Sequence, residues 1–298
     1  MIRHESVLLR EAVEGLNIKE DGIYVDATFG AGGHSKAIFE KLDSRGRLIA
    51  FDQDVDVDAG PDWGEQFTLI QANFRYLGHF LDYLGIESVD GVLADLGVSS
   101  HHLDTPERGF SFRYDAPLDM RMRKSAELTA REVVNEYGQQ ELLGIMSRYG
   151  EVRNSKTLVR HLIEEREQKP IETTLDLVGR IEPVIRGHRE RYLAQVFQAI
   201  RIEVNDELGA LKDFLKSARE ALRPGSRLAV ITFHSLEDRI VKKEMKARQE
   251  VSAAKKKLYG PGKPIYKVIT NKAITASDAE LERNPRSRSA QLRIAEKI

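Results

Sequence analysis

The stretch Ile23–Ser35, IYVDATFGAGGHS, limits what this chain can fold into more than any other. A short β-branched and aromatic run ends in the acid Asp26. A glycine-rich turn follows, and the pattern predicts a helix over roughly Gly33–Leu42. Glycines at 30, 32 and 33 let backbone approach a ligand closely, because no Cβ intervenes. The first turn of the following helix offers N–H groups to an acceptor or anion. By itself this specifies only a nucleotide-like ligand at the end of a strand.

The same rhythm repeats downstream. Arg47–Asp52 (RLIAFD), Phe67–Ala72 and Val89–Leu96 read as a second, third and fourth strand, with a helix over about Phe74–Leu84. Strands alternating with helical patterns predict an α/β fold, a parallel sheet with helices on both faces. From about Asp104 to Glu207 the pattern is helical, without a convincing strand. Leu193, Val196, Phe197, Ile200 and Val204 fall on one helix face. Sheet patterning then resumes: Leu208–Leu222 reads as a helix ended by Pro224-Gly225, and Ser226–Phe233 and the final AQLRIAEK read as strands. The helical stretch is therefore an insertion within one sheet domain.

Composition narrows the class. The 298 residues are 41% hydrophobic and 31% charged, as in a soluble folded protein, and no apolar run approaches the ~20 residues that cross a bilayer. The chain has no cysteine, which excludes disulfides and thiol-ligated zinc and fits a reducing cytoplasm. The net charge of −1 conceals an asymmetry. Arg239–Ile298 holds 16 Lys and Arg against 6 Asp and Glu, a balance of +10, leaving −11 on the remainder. A basic region of this kind suits either a solvated surface or a polyanionic partner.

Several motifs sort the ligand. Asp52 ends the second strand 26 positions after Asp26, where an acid accepts hydrogen bonds from ribose hydroxyls. A dinucleotide fingerprint needs Gly or Ala at position 35, where Ser35 stands, so S-adenosylmethionine, which has no pyrophosphate, fits better. Asp54, Asp56, Asp58 and Glu65 have calcium-loop spacing, but Ala59 and Pro61 break the loop and leave an acidic surface segment. DLGVSSHHLD (Asp95–Asp104) follows the fourth strand at the carboxyl edge, where an acid and nearby carbonyls can hold an exocyclic amine as it attacks. No metal is expected, since adjacent histidines seldom share an ion. The Thr232–Ser235 stretch lacks a hydrolase elbow, and no phosphate-binding loop is present.

Ten segments in order give the chain a likeness. HESVLL at His4, DATFGAGGHS at Asp26, FDQD at Phe51, DLGVSS at Asp95, RGFSF at Arg108 and PLDMRM at Pro117 are followed by RYGE at Arg148, FQAIRIEVNDEL at Phe197, TFHSLEDRIVK at Thr232 and NPRSRSAQLR at Asn284. Together they resemble the bacterial ribosomal small-subunit RNA (cytosine-N4-)methyltransferase family, also called RsmH or MraW. The resemblance implies a class I (Rossmann-like) S-adenosylmethionine-dependent methyltransferase with an inserted helical domain: residues 1–104 and 208–298 form the methyltransferase domain and 105–207 the substrate-recognition insertion. It implies a cytoplasmic enzyme whose partner is 16S rRNA in the small ribosomal subunit, methylated at N4 of one cytidine in the decoding region. Oligomeric state is not implied.

Carried onto this sequence, the family's donor contacts fall on Gly32, Gly33 and His34 at the methionine end, Asp52 at the ribose, Phe74 or Phe80 at the adenine, and Asp95 at the adenine edge or amine. His102 stands where the family has glutamine and, able to hydrogen-bond as glutamine does, is a further expected donor contact. Asp95 is the first candidate to orient the amine and take its proton, with Ser99 second. His234 and Asn205 are candidates to face the base, Phe110 or Phe112 to stack on it, and Arg286, Arg288 and Lys255–Lys257 to meet phosphates. The rivals are a DNA amino-methyltransferase, whose Pro-Pro-aromatic turn Asp95-Leu96-Gly97-Val98 lacks, and a catalytically inactive RNA-binding assembly module.

Overall fold

A computed structural model describes residues 6–60, 63–98, 104–250, 252 and 260–298. His102, Ser99 and Lys255–Lys257 lie outside the described residues. The chain divides into two compact units, Met1–Gly97 with Gly209–Ile298, and Val98–Leu208. The first junction lies seven residues before the expected boundary at 104/105. Gly97, at φ 101°, turns the chain as soon as the fourth strand ends.

The first unit is a seven-stranded sheet: β1 (Ile23–Asp26), β2 (Arg47–Asp52), β3 (Phe67–Gln71), β4 (Val89–Asp95), β5 (Leu222–Thr232), β6 (Tyr266–Val268) and β7 (Gln291–Lys297), in the order β3-β2-β1-β4-β5-β7-β6. The first five run parallel, and β7 pairs antiparallel with both β5 and β6. This is the doubly wound sheet that the resemblance implies.

Its central strands are apolar on both faces because helices cover both. Val25, Ile49, Phe51, Val92, Leu228 and Val230 face Leu77, Leu81 and Phe214 of α3 (Leu77–Tyr83) and α9 (Glu207–Ala221). The alternate residues Tyr24, Leu48, Leu93, Ala229 and Ile231 pack with Leu8, Ala12 and Ile38, around α1 (Leu9–Gly15) and α2 (Gly33–Phe39). A period of two therefore builds two cores from one set of strands.

Three local expectations change. Phe74–Tyr76 is a 3₁₀ turn, and helix α3 begins only at Leu77. Pro224-Gly225 does not separate helix from strand: β5 starts at Leu222, and the pair sits in a bulge where the β4 register jumps from Val89 to Gly91. β6 has three residues, too few to leave a periodic signal.

The second unit is helical: α4 (Ala130–Glu136), α5 (Gln139–Arg148), α6 (Ser155–Gln168), α7 (Thr174–Ile181) and α8 (Arg189–Asn205). Its core gathers Val133, Leu142, Ile145, Leu158, Leu162 and Leu177 with the α8 stripe Leu193, Val196, Phe197, Ile200 and Val204.

Candidate active site

Three adjacent strands of the sheet end in carboxylates. Asp26 closes β1 and pairs in register with Ala50 of β2 and Leu93 of β4, so Asp52 and Asp95 stand two residues further along on either side. An even offset keeps all three on one face of the sheet. The chain winds in opposite directions from β1 and β4, which opens the crevice in which ligands of such sheets bind.

The glycine turn is knitted to this edge. Gly30 N–H donates to Asp52 Oδ2 (2.8 Å) and Thr28 N–H to Asp26 Oδ1 (3.1 Å), while the Thr28 hydroxyl accepts from Asp95 N–H (2.6 Å). Gly32 has φ 76°, and a Cβ there would lie 2.8 Å from the Phe29 ring; a Cβ on Gly33 would overlap the Ser6 hydroxyl. Both positions thus require glycine for close approach within the chain itself.

The three acids share one electrostatic problem. Asp26 is fully buried, and its carboxyl is pushed up to about 7 by burial, with Asp52 adding repulsion against the opposing hydrogen bonds from the Ser35 hydroxyl (2.6 Å) and Thr28. Burial also raises Asp52, partly offset by the backbone N–H groups of Asp54 and Gly30. Asp95 is raised well above the usual carboxylate range, first by burial and then by the charges of Asp26 and Glu237. Its side chain is 22% exposed, so it meets solvent at one edge, but Oδ1 is buried and without a hydrogen-bond partner. Among the described residues no Lys or Arg pairs with any of the three. A cation bound here would relieve all of them at once.

His34 is buried, so its side chain does not line an open surface. Nε2 lies 3.1 Å from the Val7 carbonyl, which only accepts, so Nε2 carries the proton. Nδ1 lies 3.7 Å from Asp95 Oδ2, which places an imidazole acceptor behind the carboxyl. From β5, Phe233 packs over Gly97, and His234 is the N-cap of α10 (Ser235–Met245). Glu237 accepts from the N–H groups of Phe233 (2.8 Å) and His234 (3.3 Å). The His234 Nε2 atom is 3.2 Å from Glu237 Oε1 but is not aligned as a hydrogen bond.

Of the aromatic candidates, Phe74 meets Phe214 edge-on at 5.2 Å and Phe80 meets Phe51 at 5.8 Å, next to Asp52. Arg286 and Arg288 are exposed in a 3₁₀ turn of the same unit.

Three of the candidates lie in the helical unit. Phe110 is buried in the core, so it is not available to stack on a base, and Phe112 packs edge-on against Phe197 at 5.4 Å. Asn205 spends its amide within the unit: Oδ1 accepts from Met122 N–H, and Nδ2 donates to the Met120 and Arg201 carbonyls. The aromatic that does reach solvent is Tyr114, 53% exposed beside exposed Arg113, with its carbonyl held by the buried Thr174 hydroxyl at 2.6 Å. Asp26, Glu237 and Tyr114 escape a sequence reading. The signal available for Asp26 is its place at a strand end directly before the glycine turn.

The profile of the MraW methylase family matches residues 1–298. A relative from Phocaeicola vulgatus named ribosomal RNA small subunit methyltransferase H is 52% identical over 297 residues, covering 99% of this chain and 98% of its own. Another of that name, from Cytophaga hutchinsonii, is 52% identical over 297 residues and covers 99% of both chains. A solved rRNA methylase from Streptococcus thermophilus aligns over 100% of this chain and 99% of its own at 12% identity and a TM-score of 0.43, too slight a likeness to carry weight. By a full-length profile and relatives that share half its residues, the chain belongs to the MraW methylase family.

Proposed function

We propose that this chain transfers a methyl group from S-adenosylmethionine to the exocyclic N4 amine of one cytidine in the decoding region of 16S rRNA, acting on the small ribosomal subunit in the cytoplasm. The observation that carries the reading is the row of uncompensated carboxylates along β2, β1 and β4, with Asp95 Oδ1 unpartnered at its end. The relatives' printed name supports the rRNA substrate.

When bound, S-adenosylmethionine supplies an electrophilic methyl on a positively charged sulfur. The residues fit such a group: Asp52 accepts from ribose hydroxyls with the lone pairs that Gly30 and Asp54 leave open, and the glycine turn admits the amino-acid end. The N4 lone pair of cytosine is delocalised into the ring, so the chain must orient the amine and remove its proton. Asp95 accepts that proton at its carboxyl, whose Oδ2 lies 3.7 Å from His34 Nδ1. Orientation of the amine is the larger part of the work.

In the helical unit, Tyr114 is the residue to stack on a base of the RNA substrate. Its anchored backbone leaves little entropy to lose on binding. Tyr114→Ala is expected to raise KM for RNA by about 10-fold, within the 1–3 kcal/mol a base–aromatic stack supplies, with kcat at saturating RNA unchanged and Tyr114→Trp close to wild type. Steady-state kinetics on small subunits check this. The function itself is tested with donor carrying a labelled methyl and small subunits from cells lacking this protein. Label in a single N4-methylcytidine is the expected product; no label, or label on another atom, overturns it.

A further inference from the structure

Helix α10 starts at the active-site edge and carries a one-sided charge. It follows β5 directly; His234 caps it, and Glu237 in its first turn is buried and adds to the charge felt by Asp95. Arg239, Lys242, Lys243 and the C-cap Lys246 are all exposed, and their spacing of i, i+3, i+4 and i+7 places them on one face. The helix's acids lie elsewhere: Glu237 is buried, Asp238 pairs with Arg293 at 2.5 Å, and Glu244 turns to Arg219 at 3.4 Å. A basic face to which the helix's own acids do not contribute thus begins beside a site made of carboxylates.

Basic residues in a last helical turn favour the helix dipole, which suits Lys242 and Lys243. The balance of +10 in Arg239–Ile298 is therefore not spread evenly; four of its charges form one row within the unit that holds the site.

We propose that this face of α10 binds the phosphates of the rRNA strand flanking the target cytidine. The inference rests on the methyl-transfer reading and adds a division of labour to it. The helix holds the phosphates outside the row of carboxyls, and the uncharged base enters it. From residue 239 to 246 the helix rises about 10 Å, room for about three phosphates at ~3.4 Å per stacked nucleotide.

The test uses the full chain and a single-stranded fragment of the decoding-region RNA, with affinity measured from about 0.1 to 1 M salt. Each lost phosphate contact removes about 0.7 from the slope of log K against log salt. The triple change Lys242→Ala, Lys243→Ala, Lys246→Ala should therefore flatten the slope by about 2 and weaken binding about 100-fold at 0.1 M, with the two proteins converging near 1 M. The matching triple change to Arg should keep the wild-type line, and donor affinity should be the same in all three. Coincident lines for wild type and the Ala variant overturn the proposal, as does an equal loss in the Arg variant. Labelled-methyl transfer by the same protein samples separates the two ideas. Wild type that transfers no methyl to small subunits overturns the functional reading, whereas wild type that transfers it while its salt line on the fragment coincides with the Ala variant's overturns only the role of α10.

Discussion

Asp95→Asn should lower kcat for methyl transfer by about 1,000-fold, in the middle of the 10²–10⁴ range that a positioned acid–base group contributes, while the protein stays folded. The side chain keeps its shape, and the Thr28 hydroxyl still accepts from the backbone N–H of residue 95. What changes is the capacity of the carboxyl, which lies 3.7 Å from His34 Nδ1, to take a proton. If Asp95 serves the amine, KM for the donor shifts by less than about tenfold while the chemical step collapses. Unchanged single-turnover rates in this variant would remove Asp95 from the reaction.

The second large effect is on stability against pH. Asp26 holds its proton up to about 7 in the folded chain, against a model-peptide value near 3.9, because burial disfavours the charge. Between those two values the folded state binds more protons than the unfolded state, so the stability contributed by this group falls as pH rises and levels off above the folded value. The whole window is worth up to about 4 kcal/mol, at 1.36 per pH unit. Asp26→Asn removes this dependence and retains the partners, since its amide accepts from Thr28 N–H and donates to the Ser35 hydroxyl. Denaturant unfolding without donor should show the variant close to wild type near pH 4 and clearly more stable at pH 8. A constant difference across that range would mean that the carboxyl is ionised throughout.

Much of the sheet is legible in the chain because it rests on period-two alternation and continuous apolar runs. Leu48–Phe51 and Val92–Ala94 could only be central strands covered on both sides. Asp52 is legible for the same reason, as an acid that ends such a run. Asp26 ends a run too, but that its oxygens are taken by Ser35 and Thr28 depends on where α2 returns, which spacing does not record. His34 shows the same limit: adjacency to Gly33 suggests a ligand contact, whereas the ring turns inward between Val7 and Asp95. In RGFSFRYD, three aromatics within five residues are equivalent to a reader of sequence. Packing buries Phe110, leans Phe112 on Phe197 and leaves Tyr114 outside. Asn205 has the polarity of a binding residue, yet two of its bonds close the loop at Met120–Met122 and the third goes to the Arg201 carbonyl of its own helix.

The central claim is that charge, not shape alone, selects the ligand at the carboxyl edge of β2, β1 and β4. Calorimetric titration of S-adenosylmethionine near pH 6.5, in two buffers of different ionisation enthalpy, reads it directly. Binding of a cation should lower the raised carboxyls and release protons, and Asp52→Asn should weaken affinity more than about tenfold. No proton release, together with unchanged affinity in Asp52→Asn, would place the donor elsewhere and contradict the account.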